Sequence, residues 1–346
     1  MSGVQTVIVA AGEGDQRLDR WLKRRFPQIT QGRIEKACRK GEIRVDGGRV
    51  KPATRVEEGQ SVRVPPLPDA AAPVVEHPKI SDRDAEMMRA AVIYRDDYLI
   101  ALNKPPGLPT QGGSGQTRHV DGLSEALRFG FEEKPRLVHR LDKDTSGVLL
   151  LARSRAGAKA LTEAFRARET RKIYWAAVAG VPSPRMGTIR YGLVKAAGHG
   201  KGGEGEKMQC VHPDAVDDTP GAKRAVTDYA VLSALGQRVS WCALVPVTGR
   251  THQLRAHMAA LGHPIVGDGK YGGSGQENLG DGWGAQLGGE ISRKLHLHAR
   301  SLDLIHPMTG ARLHLTAPLP EHMARTWAAL EWSAADVPAD PFEELE

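Results

Sequence analysis

A chain of 346 residues, 40% hydrophobic and 26% charged, has enough apolar material for a packed core and enough length for a large domain with a smaller companion. Its formal net charge of +7 excludes an acidic, solvating protein and favours a polyanionic partner. Cys38, Cys210 and Cys242 form no Cys-x-x-Cys pair, which argues against a disulfide framework or a thiolate zinc site and fits a reducing cytoplasm. No apolar run approaches the roughly 20 residues that span a bilayer, so no membrane contact is expected.

Charge is concentrated near the start. Between Glu13 and Val64 there are 14 lysines and arginines against 8 acidic residues, most of the net charge of the chain. Leu18, Trp21 and Leu22 fall at i, i+3 and i+4, which predicts an amphipathic helix with Arg20, Lys23, Arg24 and Arg25 mostly off the apolar stripe, and Arg17 joins them as an expected RNA contact. Thr30 is a candidate N-cap for a second helix that turns Ile34, Ala37 and Cys38 inward and Arg33, Lys36, Arg39 and Lys40 outward. Ile43 and Val45 alternate with Arg44 on a strand, Asp46-Gly47-Gly48 makes a turn, and Val62 and Val64 belong to another strand. The bland alternative is a basic, solvated helix pair. Recurrence of positive charge on both helices and the strand favours a surface that tracks phosphates.

The boundaries predicted are a basic domain at 1–64, a Pro- and Ala-rich flexible tether at 65–89, a larger domain at 90–332 and a frayed acidic tail at 333–346. In the larger domain, strands are expected at 91–94, 99–103, 147–153, 173–179, 242–247 and 295–305, and helices at 122–129, 156–167 and 251–261. This is a mixed α+β class with a mostly antiparallel sheet. Gly198 to Gly205 reads as a mobile insertion.

The most informative stretch is His139-Arg140-Leu141-Asp142, followed by Gly147 and the apolar run Val148 to Leu151. It sets a carboxylate where a buried strand meets a cationic surface. Alone, Asp142 reads more readily as a turn cap at Thr145 or a partner of Arg140. Two further segments change the balance: Arg171-Lys172-Ile173-Tyr174-Trp175-Ala176, and Val247-Thr248-Gly249-Arg250-Thr251-His252-Gln253-Leu254-Arg255 with Gly267-Asp268 behind it. Together with Asn103-Lys104-Pro105-Pro106-Gly107, their order and spacing resemble the Rlu-type pseudouridine synthases. The N-terminal unit resembles the alpha-L RNA-binding module, and that unit with Gly112-Gly113-Ser114-Gly115 leans toward the large-subunit ribosomal RNA synthase C branch.

The resemblance implies that Asp142 is the nucleophile or base on a flipped uridine, that Tyr174 stacks on the base, that Arg255 pairs with Asp142, and that Arg140 fills the gap in the RNA stack. It implies a large-subunit ribosomal RNA substrate, an isomerisation without cofactor, and a monomer. Flipping a base costs a few kcal/mol, which a planar cation and an aromatic platform can partly offset. His252 and His257 lie five residues apart, off the i, i+4 spacing of a zinc helix, so no metal is expected at them or at His263, His296, His298 and His306. The Gly-rich stretches lack the Gly-Lys-Ser/Thr ending of a phosphate loop. Two rival functions are a catalytically idle RNA-binding assembly factor and a glycosidase-like hydrolase.

Overall fold

The computed structural model describes residues 3–67, 80–112, 118–167, 170–196, 207–272 and 291–343. The Gly-rich stretch at 198–205 and residues 113–115 lie outside them. The chain divides into two compact units, Met1–Lys79 and Ile80–Glu346.

In the first unit, helices Leu18–Arg25 and Gln31–Lys40 form where their apolar spacing predicts. The Thr30 hydroxyl accepts the Arg33 N–H, and Gly41 ends the second helix in the left-handed conformation. Leu18, Trp21, Leu22, Ile34 and Ala37 bury one face against Val45, Val56, Val62 and Val64. A four-stranded sheet carries Gln5–Ile8, Ser61–Val64, Arg44–Val45 and Gly48–Arg49 in that order. Asp46 and Gly47, both at positive φ, make its two-residue hairpin turn.

The second unit is built on a ten-stranded sheet. Its main path runs Met186–Ile189, Thr227–Leu235, Val239–Pro246, Arg171–Ala179, Leu297–Ile305, Ser146–Ala152, Leu99–Lys104 and Val92–Arg95. Arg312–Thr316 pairs with the Leu297–Ile305 strand, and Arg136–Leu137 with Ser146–Ala152. Among the described residues only one pairing is parallel, Ser146 and Gly147 against His298 and Ala299. Every residue of Ser146–Ala152 is buried, because both faces are covered: Leu149 and Leu151 on one side, Val148, Leu150 and Ala152 on the other. Gly147 has φ 107°, and a Cβ there would collide with the Ala299 carbonyl, so only glycine lets these strands meet.

Three expectations are corrected. The supposed tether is partly ordered: Leu67 is buried in the first unit's core, and Asp82–Ala90 is a helix capped by the Ser81 hydroxyl with Met88 buried beneath it. Residues 68–79 lie outside the described residues. The acidic tail is docked rather than frayed: Asp340 makes two hydrogen bonds to Arg171, at 2.7 and 2.9 Å, and Phe342 joins the core of Trp175, Trp241, Trp327 and Trp332. The helix expected at 122–129 is instead a turn of α-helix, Val120–Leu123, running into a 3₁₀ segment, Ser124–Leu127. The Ser124 hydroxyl bonds the Asp121 and Pro135 carbonyls there, which competes with continued α-helix.

Candidate active site

Asp142 lies on the loop that enters strand Ser146–Ala152, and the backbone on both sides of it is tied to buried groups. Lys104, wholly buried, donates from Nζ to the carbonyls of Pro105, Leu108 and Lys143 at 2.9, 2.8 and 2.9 Å. One acceptor for each N–H suits the charged ammonium. Burial nevertheless pulls its pKa to about 7, against the opposing charges of Asp144 and Asp142. The Gly107 N–H also bonds the Lys143 carbonyl at 3.0 Å. Thr110 donates its hydroxyl to the Leu141 carbonyl at 2.7 Å and accepts the Leu141 N–H at 3.2 Å. The main chain is fixed while the carboxylate projects.

That carboxylate is 27% exposed and meets two partners on one oxygen: Arg255 Nη1 lies 3.6 Å and His252 Nε2 3.8 Å from Oδ2. The other edge of the Arg255 guanidinium forms a two-pronged pair with Asp268, Nε to Oδ2 at 2.7 Å and Nη2 to Oδ1 at 2.8 Å. Burial works against the Arg255 charge, while the hydrogen bond and charge of Asp268 and the charge of Asp142 hold it protonated. Asp268 Oδ1 also accepts the backbone N–H groups of Lys270 and Tyr271 at 3.0 and 3.1 Å. Asp268 thus aims Arg255.

Helix Gln253–Ala260 delivers Arg255 to this point, and Gln253 locks the preceding loop. Its Oε1 accepts from the Thr248 hydroxyl at 2.7 Å and the Arg250 N–H at 3.1 Å, while Nε2 donates to the Val226 carbonyl at 2.8 Å and Thr227 Oγ1 at 3.0 Å. Tyr174 arrives from strand Arg171–Ala179, whose period-two alternation sends Ile173, Trp175 and Ala177 to the opposite face. A register shift against Leu297–Ile305 falls between Ile173 and Tyr174, where it re-aims the ring. Burial and then the Asp142 charge hold the Tyr174 hydroxyl protonated, its pKa raised.

Arg140 is exposed, and its guanidinium donates to the Thr251 hydroxyl at 3.2 Å. The pairing with Asp142 weighed from sequence gives way to this one. His139 is structural: its Nε2 accepts the Leu150 N–H at 2.9 Å, and burial, with help from the Lys172 charge, pushes its pKa down to about 3. Asp142, Tyr174, Arg255 and Arg140 therefore line a single cleft of about 790 Å³. Among the described residues lining it, six are arginine or lysine and one, Asp142, is acidic.

Of the basic residues expected to meet RNA, Arg20, Lys23, Arg24, Arg33, Lys36, Arg39 and Lys40 lie on the two helices, while Arg17 sits on the two-residue strand Gln16–Arg17 just before the first. Arg20, Lys23, Arg24, Lys36, Arg39 and Lys40 are exposed, and Arg33 is half-buried. Arg17 is exposed too, but Asp19 already engages its guanidinium at 3.1 and 2.6 Å. Arg33 and Lys40 share Glu42, at 3.5 and 3.9 Å. The two pairs to Glu42 lie near the surface and contribute little to stability, whereas the Asp19 carboxylate is buried. Among the described residues, no three His, Cys, Asp or Glu side chains could hold a metal ion.

Residues 98–260 match the RNA pseudouridylate synthase family, and residues 16–62 match the S4 domain. The chain belongs to the RNA pseudouridylate synthase family. A relative in Rickettsia typhi named ribosomal large subunit pseudouridine synthase C is 34% identical over 316 residues, covering 89% of this chain and 95% of the relative. One of the same name in Yersinia pestis is 34% identical over 336 residues, covering 96% and 97%. Among solved structures, human RNA pseudouridylate synthase domain containing 4 aligns with a TM-score of 0.56 and 30% identity, over 71% of this chain and 95% of that one.

Sequence reasoning missed the role of Asp268, which was visible only as a Gly-Asp pair behind the third motif, and of Lys104, Thr110 and Gln253. It weighed His252 only as a metal ligand. Tyr271 carried no signal at all.

Proposed function

We propose that this enzyme isomerises specific uridines of large-subunit (23S) ribosomal RNA to pseudouridine, with Asp142 as the nucleophile or base on a flipped-out uridine. The observation that carries the reading is the solitary carboxylate in a cationic cleft. A polyanion is drawn in by the arginines and lysines, and the one acid among the described lining residues sits with them beside a partly buried tyrosine and a guanidinium. Tyr174 offers the extruded base an aromatic face and, being protonated, a hydroxyl donor. Arg255, aimed by Asp268, holds the Asp142 carboxylate. Arg140, at the exposed rim, is placed to occupy the stack that the base leaves. The base is detached at its ring nitrogen, turned and rejoined through a ring carbon, so the product has the mass of the substrate.

The choice of ribosomal RNA follows from the names of the relatives and from the basic helices of the first unit. The reading includes a cytoplasmic monomer that needs no cofactor, since an isomerisation has no redox or hydrolytic step. No helix among the described residues is long and apolar enough to cross a membrane. Nothing favours the idle assembly factor.

The test is to map pseudouridines in large-subunit RNA from cells lacking the gene. Loss at discrete positions, restored by the wild-type chain, is expected; an unchanged map refutes the reading. Free uracil and abasic RNA from purified enzyme would point to hydrolysis instead. Removal of residues 1–79 should weaken RNA binding by about tenfold or more and flatten its salt dependence, because several phosphate contacts go at once. Single-turnover rates at saturating enzyme on a short hairpin should change little. Undiminished site selection on intact ribosomal RNA by the truncated chain would contradict this.

A further inference from the structure

His252 occupies a backbone conformation that residues with a Cβ rarely adopt, φ 50° and ψ 22°, at the entry to helix Gln253–Ala260. Its side chain makes no capping bond to that helix. Nδ1 instead lies 3.0 Å from the Tyr271 hydroxyl, which accepts the Met208 N–H at 2.8 Å. The phenol keeps its own proton to donate, and given to Nδ1 it makes this nitrogen the acceptor. A neutral ring then carries its proton on Nε2. Nε2 faces Asp142 Oδ2 at 3.8 Å, the oxygen that Arg255 approaches from 3.6 Å.

We propose that His252, with its tautomer set by Tyr271, is a positioning residue for Asp142: its Nε2–H and the Arg255 guanidinium together hold Oδ2, leaving Oδ1 turned to the uridine. The inference rests on Asp142 being the nucleophile or base. The 3.8 Å gap is too long for a hydrogen bond, and such contacts commonly tighten when substrate fills the site. Five groups face the ring besides the backbone: Tyr271, Asp142, Arg255, Lys270 and Asp268. Burial keeps the imidazole pKa below its usual value; Arg255 and Lys270 add to this, and the two carboxylates oppose it. A neutral ring is what the tautomer argument requires.

Two amides separate this role from a structural one. Asn tolerates the left-handed backbone best but is one carbon short of Asp142. Gln reaches as far as Nε2 and has both an N–H to donate and an oxygen to accept from Tyr271. The assay is single-turnover tritium release from large-subunit ribosomal RNA transcript labelled at uridine C5, with RNA affinity measured in parallel. His252→Asn should slow the chemical step by about tenfold or more, with affinity within about twofold, and His252→Gln should recover most of that loss. Tyr271→Phe, which frees the tautomer without touching His252, should slow the same step and so covers the case in which a position-252 variant fails to fold. Wild-type rates in His252→Asn and Tyr271→Phe, a loss in affinity alone, or a Gln variant no faster than Asn would overturn the inference. Wild-type enzyme that releases no tritium, or Asp142→Asn that still does, would sink the underlying assignment instead.

Discussion

Asp142→Asn is expected to abolish pseudouridine formation, by about four orders of magnitude or more, as removal of a group that carries the chemistry does elsewhere. RNA affinity should stay within a few-fold and shift, if anything, toward tighter binding. The reason is the sign of the cleft: among its described lining residues the substitution deletes the one acidic side chain and leaves six basic ones, so the field met by phosphate becomes more positive. Folding should be nearly unaffected. Asp142 is 27% exposed, and its loss does not strand the Arg255 charge, because Asp268 still pairs with it at 2.7 Å. The main chain around position 142 is held by Lys104, Gly107 and Thr110, none of which bonds the Asp142 side chain. Activity and affinity would be read by tritium release and gel shift on the same preparation. Retained product formation would show that Asp142 is one more turn residue.

The parts of this fold legible in the sequence are those where one local pattern has one structural solution. The Val148 to Leu151 run behind the Gly147 turn fits a strand covered on both faces, and Thr30 with the Ile34, Ala37 and Cys38 stripe fits the start of a packed helix. The Asp142, Tyr174 and Arg255 triad was reachable because each lies inside a dense motif whose joint order resembles a family. The supporting residues were hidden for a different reason. Asp268 reaches Arg255 across the end of a helix and a turn, where Gly267 at φ 73° lets the chain pass close under the Lys294 carbonyl. No periodicity records such a pairing. The edge strands Met186–Ile189 and Arg312–Thr316 are short and half exposed, so they lack a strong alternation to read. The tail misled by composition: its acidic character predicts fraying, yet Asp340 and Phe342 each find a specific partner. Net charge says nothing about where one side chain docks.

Asp268→Ala is expected to destabilise the fold by about 3–5 kcal/mol, far more than Asp142→Asn, because it strips a buried guanidinium of the carboxylate that takes two of its hydrogen bonds. The side chains of Arg255 and Asp268 are 9% and 0% exposed, so water cannot replace the lost partner. The turn suffers as well, since the N–H groups of Lys270 and Tyr271 lose their acceptor. Asp268→Asn keeps one acceptor oxygen and should cost less, about 1–3 kcal/mol. Both should lose activity beyond what stability explains, because Arg255 is then no longer aimed by Asp268 at the Asp142 carboxylate it faces from 3.6 Å. Urea midpoints and single-turnover rates on the same proteins check both statements. The decisive comparison is the double replacement Arg255→Leu with Asp268→Leu. Removing both charges of a buried pair often restores stability that a single removal loses, so the double variant should unfold at higher urea than Asp268→Ala. Its activity should not return, because the cation that faced Asp142 has gone with its anchor. A double variant that regains turnover along with stability would mean that the pair serves only the fold.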